Sequence, residues 1–173
     1  MNRDFRGGTL LIDGYNVLHA VKTYERILER SLQEAREAIK QDCLDLLQSR
    51  SDIRRIVLVF DGRSGFIGNG GKTGRLEIIF TESGEDADDR LVDLLESGAG
   101  RTPVFVVSND NYVSNHARVY HGHNLSAGDF YRLFGRPAAD GKSGASNPPE
   151  KKISPALART ITEEYRKYLG IRP

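Results

Sequence analysis

The stretch VFVVSNDNYVSN, Val104 to Asn115, decides how the rest of the chain is read. Its first four positions are apolar and mostly β-branched, a short run that reads as a buried strand. The run then enters Ser108, Asn109, Asp110 and Asn111, which are poor strand formers. A carboxylate at the end of a buried strand is either a helix cap or a working group. Which one it is depends on whether other carboxylates arrive at the same place. The pattern does recur. TLLID, Thr9 to Asp13, is a short apolar strand ending in an acid, with Gly14 as the turn into GYNVLHAV. IRRIVLVFDG, Ile53 to Gly62, is a second strand ending in Asp61.

Between and beyond these runs the spacing changes to helical. Ser31 followed by Glu34 is a capping-box pattern. Leu32, Ala35, Ile39, Cys43, Leu46 and Leu47 then mark an amphipathic helix reaching Arg50. Arg63 to Arg75 is a glycine-rich, flexible loop, and Leu76 to Glu82 a third strand. A helix starts near Glu85 and stops at Gly98, with Leu91, Val92, Leu94 and Leu95 inward. The Val104 run is the fourth strand, Val119 to His121 a short fifth, and Ser126 caps a helix carrying Phe130, Tyr131 and Phe134. Strands alternating with helices predict an α/β domain around a largely parallel sheet. The composition then shifts to Gly, Pro, Ala and Ser over Gly135 to Lys152, as in a linker. A last helix follows, with Ser154 as cap, Pro155 in its first turn, and Leu157, Ile161, Tyr165, Tyr168 and Leu169 as its apolar face.

In open α/β sheets, working groups collect outside the carboxyl ends of the parallel strands. Asp13, Asp61 and Asp110 all reach that edge, and GEDADDRL brings more acids at a helix N-terminus. Each acid alone has a plainer explanation. Asp before Gly is turn chemistry, and acids in a first helical turn complement the helix dipole. Their convergence is harder to explain, because packed carboxylates raise one another's pKa and a divalent cation relieves the repulsion. Oxygen donors without cysteine or a histidine pair suit Mg²⁺ or Mn²⁺ rather than zinc. Such a site suits phosphodiester hydrolysis.

LLIDGYNVLHA, VFDG, EDADDRL and VVSNDNY resemble, in order and spacing, the NYN-domain ribonucleases of the PIN-like superfamily, and within it the bacterial YacP-like branch. The resemblance runs over Thr9 to Phe134. It implies a three-layer α/β/α sandwich with a central, mostly parallel sheet. Residues 1–135 form the NYN domain, 136–152 a flexible linker and 153–173 a C-terminal helix. By motif, Asp13 corresponds to a metal-ligating acid and Asn16 to the asparagine that helps hold the site. Asp88 and Asp89 match the acidic pair on the helix, and Asp110 the acid after the fourth strand. Asp61 matches a more peripheral acid, and Glu85 the glutamate that opens the helix motif. Adjacent helix positions diverge by about 100°, so Asp88 is favoured as the inward ligand and Asp89 as a second, water-mediated one. Related eukaryotic NYN nucleases often carry a further acid where this chain has Ser114. That departure points to one firmly held metal and a weaker second, completed by substrate phosphate.

The resemblance implies a metal-dependent endoribonuclease, with RNA as substrate and translating ribosomes as a partner. Arg63, Lys72, Arg75 and Arg90 are candidate phosphate contacts, with Arg118, His121 and His123 as weaker ones. Tyr15 and Tyr112 are candidate base-stacking rings, with core packing as the competing role. Ser108 and Asn109 either satisfy backbone groups at the turn or touch substrate. Two alternatives stay open: a structure-specific 5′-nuclease acting on DNA, and a non-catalytic RNA- or ribosome-binding module. The first needs a larger acid set and a DNA-binding helical element, neither of which is visible. The intact acids argue against the second, while Ser114 argues weakly for it. A formal net charge of +1 neither favours nor excludes nucleic acid, so any such surface requires local charge segregation. The single cysteine, Cys43, precludes an internal disulfide and reads as a small buried residue. MNRDFRGGT lacks the apolar segment of a signal peptide, and no apolar run is long enough to span a bilayer, so the expectation is cytoplasmic with no membrane association. Monomer and homodimer both remain open.

Overall fold

The structure is a computed structural model that describes residues 4–62, 70–82, 84–98 and 100–134. The expected linker and C-terminal helix lie outside the described residues, as does Arg63. Strands β1 (Gly8–Asp13), β2 (Ile53–Phe60), β3 (Gly71–Thr73), β4 (Leu76–Phe80), β5 (Val104–Val107) and β6 (His123–Leu125) form one six-stranded sheet in the order β3-β4-β2-β1-β5-β6. Every neighbouring pair is parallel except β3 with β4. The helices are α1 (Gly14–Ala20), α2 (Lys22–Leu28), α3 (Leu32–Ser49), α4 (Ala87–Gly98), α5 (Asn111–Val119) and α6 (Ala127–Arg132).

The apolar runs of β1, β2 and β5 are buried on both sides, which is why they do not alternate with polar residues. Alternate residues serve two separate cores. Leu10, Ile12, Ile56, Leu58, Phe60, Phe105 and Val107 pack with side chains of α1, α2, α3 and α6. Leu11, Val57, Val59, Val104 and Val106 pack with Leu91 and Leu95 of α4 and with Val113 and Ala117 of α5. The result is the expected three-layer sandwich. Cys43 is fully buried in the first of these cores, and burial pushes its thiol up above the ordinary range.

Strand order decides which strand ends meet. From β1 the chain moves outward to β2 and β4, then returns across the sheet to β5 on the other flank of β1. The order therefore reverses between β1 and β5, and ligands of open parallel sheets bind at the carboxyl ends of such a pair. Those ends are Asp13 and Val107, the latter leading directly into Ser108–Asp110.

Several local readings hold. The Ser31 Oγ accepts from the Glu34 N–H and caps α3, and the Ser126 Oγ accepts from the Asp129 N–H and caps α6. Others need correcting. Val119 to His121 is not a strand. Val119 ends α5, and His121 turns with φ of 56°, a left-handed conformation no strand residue holds. The fifth parallel strand lies just beyond, at His123–Leu125. The polar start of α5 hides that helix in the sequence. α2 carries only one buried residue, Tyr24, and so has little periodic signal. The glycine-rich segment is not wholly loop, because Gly71–Thr73 pairs antiparallel with β4. Of the expected inward face of α4, Leu91 and Leu95 are buried, while Val92 and Leu94 are half-buried.

Candidate active site

Asp13 closes β1 and caps α1, its Oδ1 accepting from the Asn16 N–H at 3.1 Å. Helix α1 starts without an intervening loop because position 14 is glycine. A Cβ there would lie 2.3 Å from the Phe60 ring, so no side chain fits between β1 and the start of α1. Asp110 has the same role after the neighbouring strand, β5. Its Oδ1 accepts from the N–H groups of Tyr112 at 2.6 Å and Val113 at 3.4 Å, starting α5. Both acids are therefore helix caps as well as candidate ligands, and each carboxylate has its second oxygen beyond the cap bonds.

The polar run after β5 joins these two ends. The Ser108 hydroxyl, fully buried, donates to Asp13 Oδ2 at 3.3 Å and accepts from the Asp110 N–H at 3.0 Å. The Asn109 N–H donates to Asn16 Oδ1 at 2.8 Å, and Asn109 Oδ1 accepts from the Ala127 N–H at 3.0 Å. Ser108 and Asn109 thus satisfy backbone groups at the turn and lock α1, β5 and α6 to one another. The Ser114 hydroxyl donates to the Asp110 carbonyl at 2.7 Å.

A cleft of about 430 Å³ opens over this edge. Asp13, Asn16 and Asn109 line it, with Asp61 from the end of β2 and Asp86 and Asp88 from the start of α4. Asp110 does not belong to the cleft wall, but its charge reaches both Asp13 and Asp88. Asp13 is 7% exposed, and its carboxyl is pushed up from 3.8 to about 6. Burial is the main cause, opposed by the Asn16 N–H and reinforced by the charge of Asp88. Asp88 is also raised, first by burial and then by the charges of Asp110, Asp86, Asp89 and Asp61. Asp89 does not line the cleft. It is exposed and accepts from the Tyr112 hydroxyl at 3.1 Å, pointing the other way round the helix from Asp88.

Among the described residues no three acids, histidines or cysteines stand close enough to form a ready-made metal cluster. The donor set nevertheless fits a hard cation that keeps much of its water shell. All the donors are carboxylates, and two of them have pKa values raised by burial and mutual repulsion. Mg²⁺ characteristically takes one or two protein carboxylates and retains several waters.

The expected substrate contacts are scattered. Glu85 pairs with Arg90 at 3.9 Å beside the start of α4. Tyr15 lines the cleft, but its hydroxyl accepts from the Arg36 guanidinium and its ring meets Phe60 edge-on at 5.3 Å. Tyr112 is 46% exposed, with its ring 4.3 Å from that of His116. Lys72 is exposed on the outermost strand, opposite Glu77. Arg75 does not belong to this edge. It immediately precedes β4, which runs in the same direction as β1, so it lies at the opposite end of the sheet. There its guanidinium donates to the carbonyls of Ile53 at 2.6 Å, Arg50 at 3.4 Å and Leu47. Closeness to the glycine-rich loop in sequence suggests otherwise, and strand direction overrides it. Two cleft residues carry little signal in the sequence. Asp86 is inconspicuous within GEDADDRL, and His19 reads as a surface or packing residue. The spacing of Asn16, His19 and Ala20 on α1 is the available clue, since three- and four-residue steps share a helix face.

The sequence pattern of the YacP-like NYN domain matches residues 10–170. The chain belongs to the YacP-like NYN family. This match extends past Phe134, where the quoted motifs stop. Two solved structures share the fold of this YacP-like NYN chain. The crystal structure of Rae1 (YacP) from Bacillus subtilis is 22% identical with a TM-score of 0.59, covering 94% of this chain and 82% of that one. A tryptophan-to-leucine variant of the same protein is 23% identical with a TM-score of 0.62, covering 95% and 85%. No match was found among curated proteins. The NYN fold is a PIN-like nuclease fold, and the switch-point cleft of this family member is where such a fold would work.

Proposed function

We propose that this chain is a metal-dependent endoribonuclease that hydrolyses RNA phosphodiester bonds at the acidic edge of its sheet. One observation carries the reading. Asp13 and Asp88 meet in a single cleft at the strand-order reversal with their carboxyls held above the ordinary range by burial and by neighbouring acids. A fold maintains such repulsion at a cost to stability, and a bound cation removes it.

Asp13, Asp88 and Asp110 are the residues that would hold Mg²⁺ or Mn²⁺, with Asp89 and Asp61 beyond them. When bound, the ion supplies polarisation of the phosphoryl oxygen and a water of lowered pKa. Asn16 and Ser108 act as positioning residues. The first ties α1 to the β5 turn, and the second holds the free side of Asp13. Tyr15 presents a ring at the cleft and exposed Tyr112 one beside Asp89, on either of which a base can stack. Of the basic candidates, Arg90 beside the start of α4 remains compatible with phosphate contact at this edge, whereas Lys72, opposite Glu77 near the start of β4, lies toward the other. RNA engaged by ribosomes is the substrate that the YacP-like branch suggests, and the cytoplasm the matching compartment. No described helix is long and apolar enough to cross a membrane.

The test is incubation of labelled single-stranded RNA and DNA with Mg²⁺, Mn²⁺ or EDTA. The expected result is metal-dependent cleavage of RNA by the natural chain. Asp13→Asn and Asp110→Asn should stay folded, because asparagine caps helices as well as aspartate, and should lose cleavage. Undiminished cleavage by both variants would remove the reading.

A further inference from the structure

The other end of the same strands bears a second cleft, of about 360 Å³, and it is basic. Thr9, Arg55 and Val104 sit side by side across β1, β2 and β5 and line it together. Arg54, Arg101 and the hydroxyl residues Ser97 and Thr102 complete the polar lining. Among the described residues no acid lines it. Arg55 reaches Glu77 at 3.7 Å, whereas Arg54 and Arg101 make no ion pair or side-chain hydrogen bond among the described residues.

Solvated arginines at a strand edge need no ligand, and the carboxyl end of α4 offers them a partial negative charge. That dipole amounts to only about half an elementary charge. The two guanidiniums outside that ion pair, Arg54 and Arg101, still exceed it several-fold, and both residues line a concave site rather than a flat face. In a chain of net charge +1, an arginine-only cleft opposite an acid-rich cleft is the charge segregation that a polyanion partner requires. Guanidinium forks match phosphate oxygens bidentately, and hydroxyls are common partners of phosphate and sugar.

We propose that this arginine cleft is a second RNA contact, taking backbone phosphates remote from the scissile bond. Thr9 and Asp13 are four positions apart on β1, so the two clefts are separated by roughly 13 Å of strand. One polynucleotide can therefore engage both, with its phosphates anchored at the arginines and its labile bond at the acids. The identity of the ligand rests on the ribonuclease reading of the acidic edge.

The experiment compares the full chain with Arg54→Ala/Arg101→Ala in two assays. In EDTA, where no cleavage occurs, binding of a ~30-nucleotide single-stranded RNA is measured over a range of salt. The double variant should bind about tenfold more weakly, with the salt slope reduced by about 1.4, because each lost phosphate contact on a single strand removes about 0.7. Arg54→Lys/Arg101→Lys should restore most of the slope, since charge is what it counts. With metal, the double variant should need more RNA for half-maximal rate while the saturated rate stays unchanged. Equal binding by the natural chain and the alanine variant at every salt concentration overturns the proposal. A lowered saturated rate with unchanged binding overturns it too. Failure of the natural chain to cleave RNA removes the reading of the acidic edge and leaves the EDTA comparison to decide the arginine cleft.

Discussion

The two edges of the sheet are built from the same strands and carry opposite charge. At the carboxyl edge, β1, β2 and the turn after β5 deliver Asp13, Asp61 and Asp110, and α4 starts there with Asp88. At the amino edge, Arg54 and Arg55 follow Ile53 at the start of β2, Arg101 precedes β5, and Arg75 precedes β4. Parallel strands make this separation easy. Every residue type placed after a strand lands at one end, and every type placed before a strand lands at the other. The difference is also one of stress. The amino-edge arginines are solvated, pair with Glu77 or donate to carbonyls, whereas the acids repel one another in a cleft. Stored repulsion distinguishes the carboxyl edge.

Removing the buried acid of the carboxyl edge should have the largest effect. Asp13→Asn should lower RNA cleavage by roughly 10²–10³-fold, the scale of deleting one preorganised electrostatic group. Rates under single-turnover conditions check this.

The same substitution should raise stability in metal-free buffer. Asp13 titrates at about 6 when folded, against an ordinary value of 3.8, so the folded chain binds the extra proton between those values. Stability should therefore fall as pH rises through that window, by on the order of 3 kcal/mol across the whole of it, and recover as pH is lowered. Asp88 adds to the trend with the same sign. The carboxyls held low, Asp52 and Asp129, act only as pH falls below the ordinary carboxylate range and do not offset it. Urea unfolding in EDTA at pH 5 and pH 7 should show the loss in the natural chain and less of it in Asp13→Asn. A natural chain equally stable at both values would mean the acids are not in conflict.

At the amino edge the expected effects are structural or small. Arg75→Ala leaves three backbone carbonyls without their guanidinium and should cost about 1–2 kcal/mol of stability, read by denaturant midpoint. It should leave the salt dependence of RNA binding unchanged, in contrast to the Arg54 and Arg101 pair. The smallest change is expected on the outermost strand. Lys72→Ala removes an exposed charge opposite Glu77 and should alter RNA affinity by about twofold or less, measured by the same titration.

Much of this was legible in the sequence because the signals are local. Unbroken apolar runs marked the strands, serines marked the starts of α3 and α6, and an acid after a strand marked the carboxyl edge. The resemblance to NYN domains rests on those same short motifs. Tertiary structure alone decided what depends on strand order and direction. Nothing local says that β5 returns to the flank of β1, and that return is what joins Ser108 and Asp110 to Asp13. Nor does sequence proximity to a glycine-rich loop reveal that Arg75 lies at the far edge, or that Arg54, Arg55 and Arg101 share a cleft. Side-chain chemistry is written residue by residue, whereas which ends of which strands meet is settled only when two buried faces choose their partners.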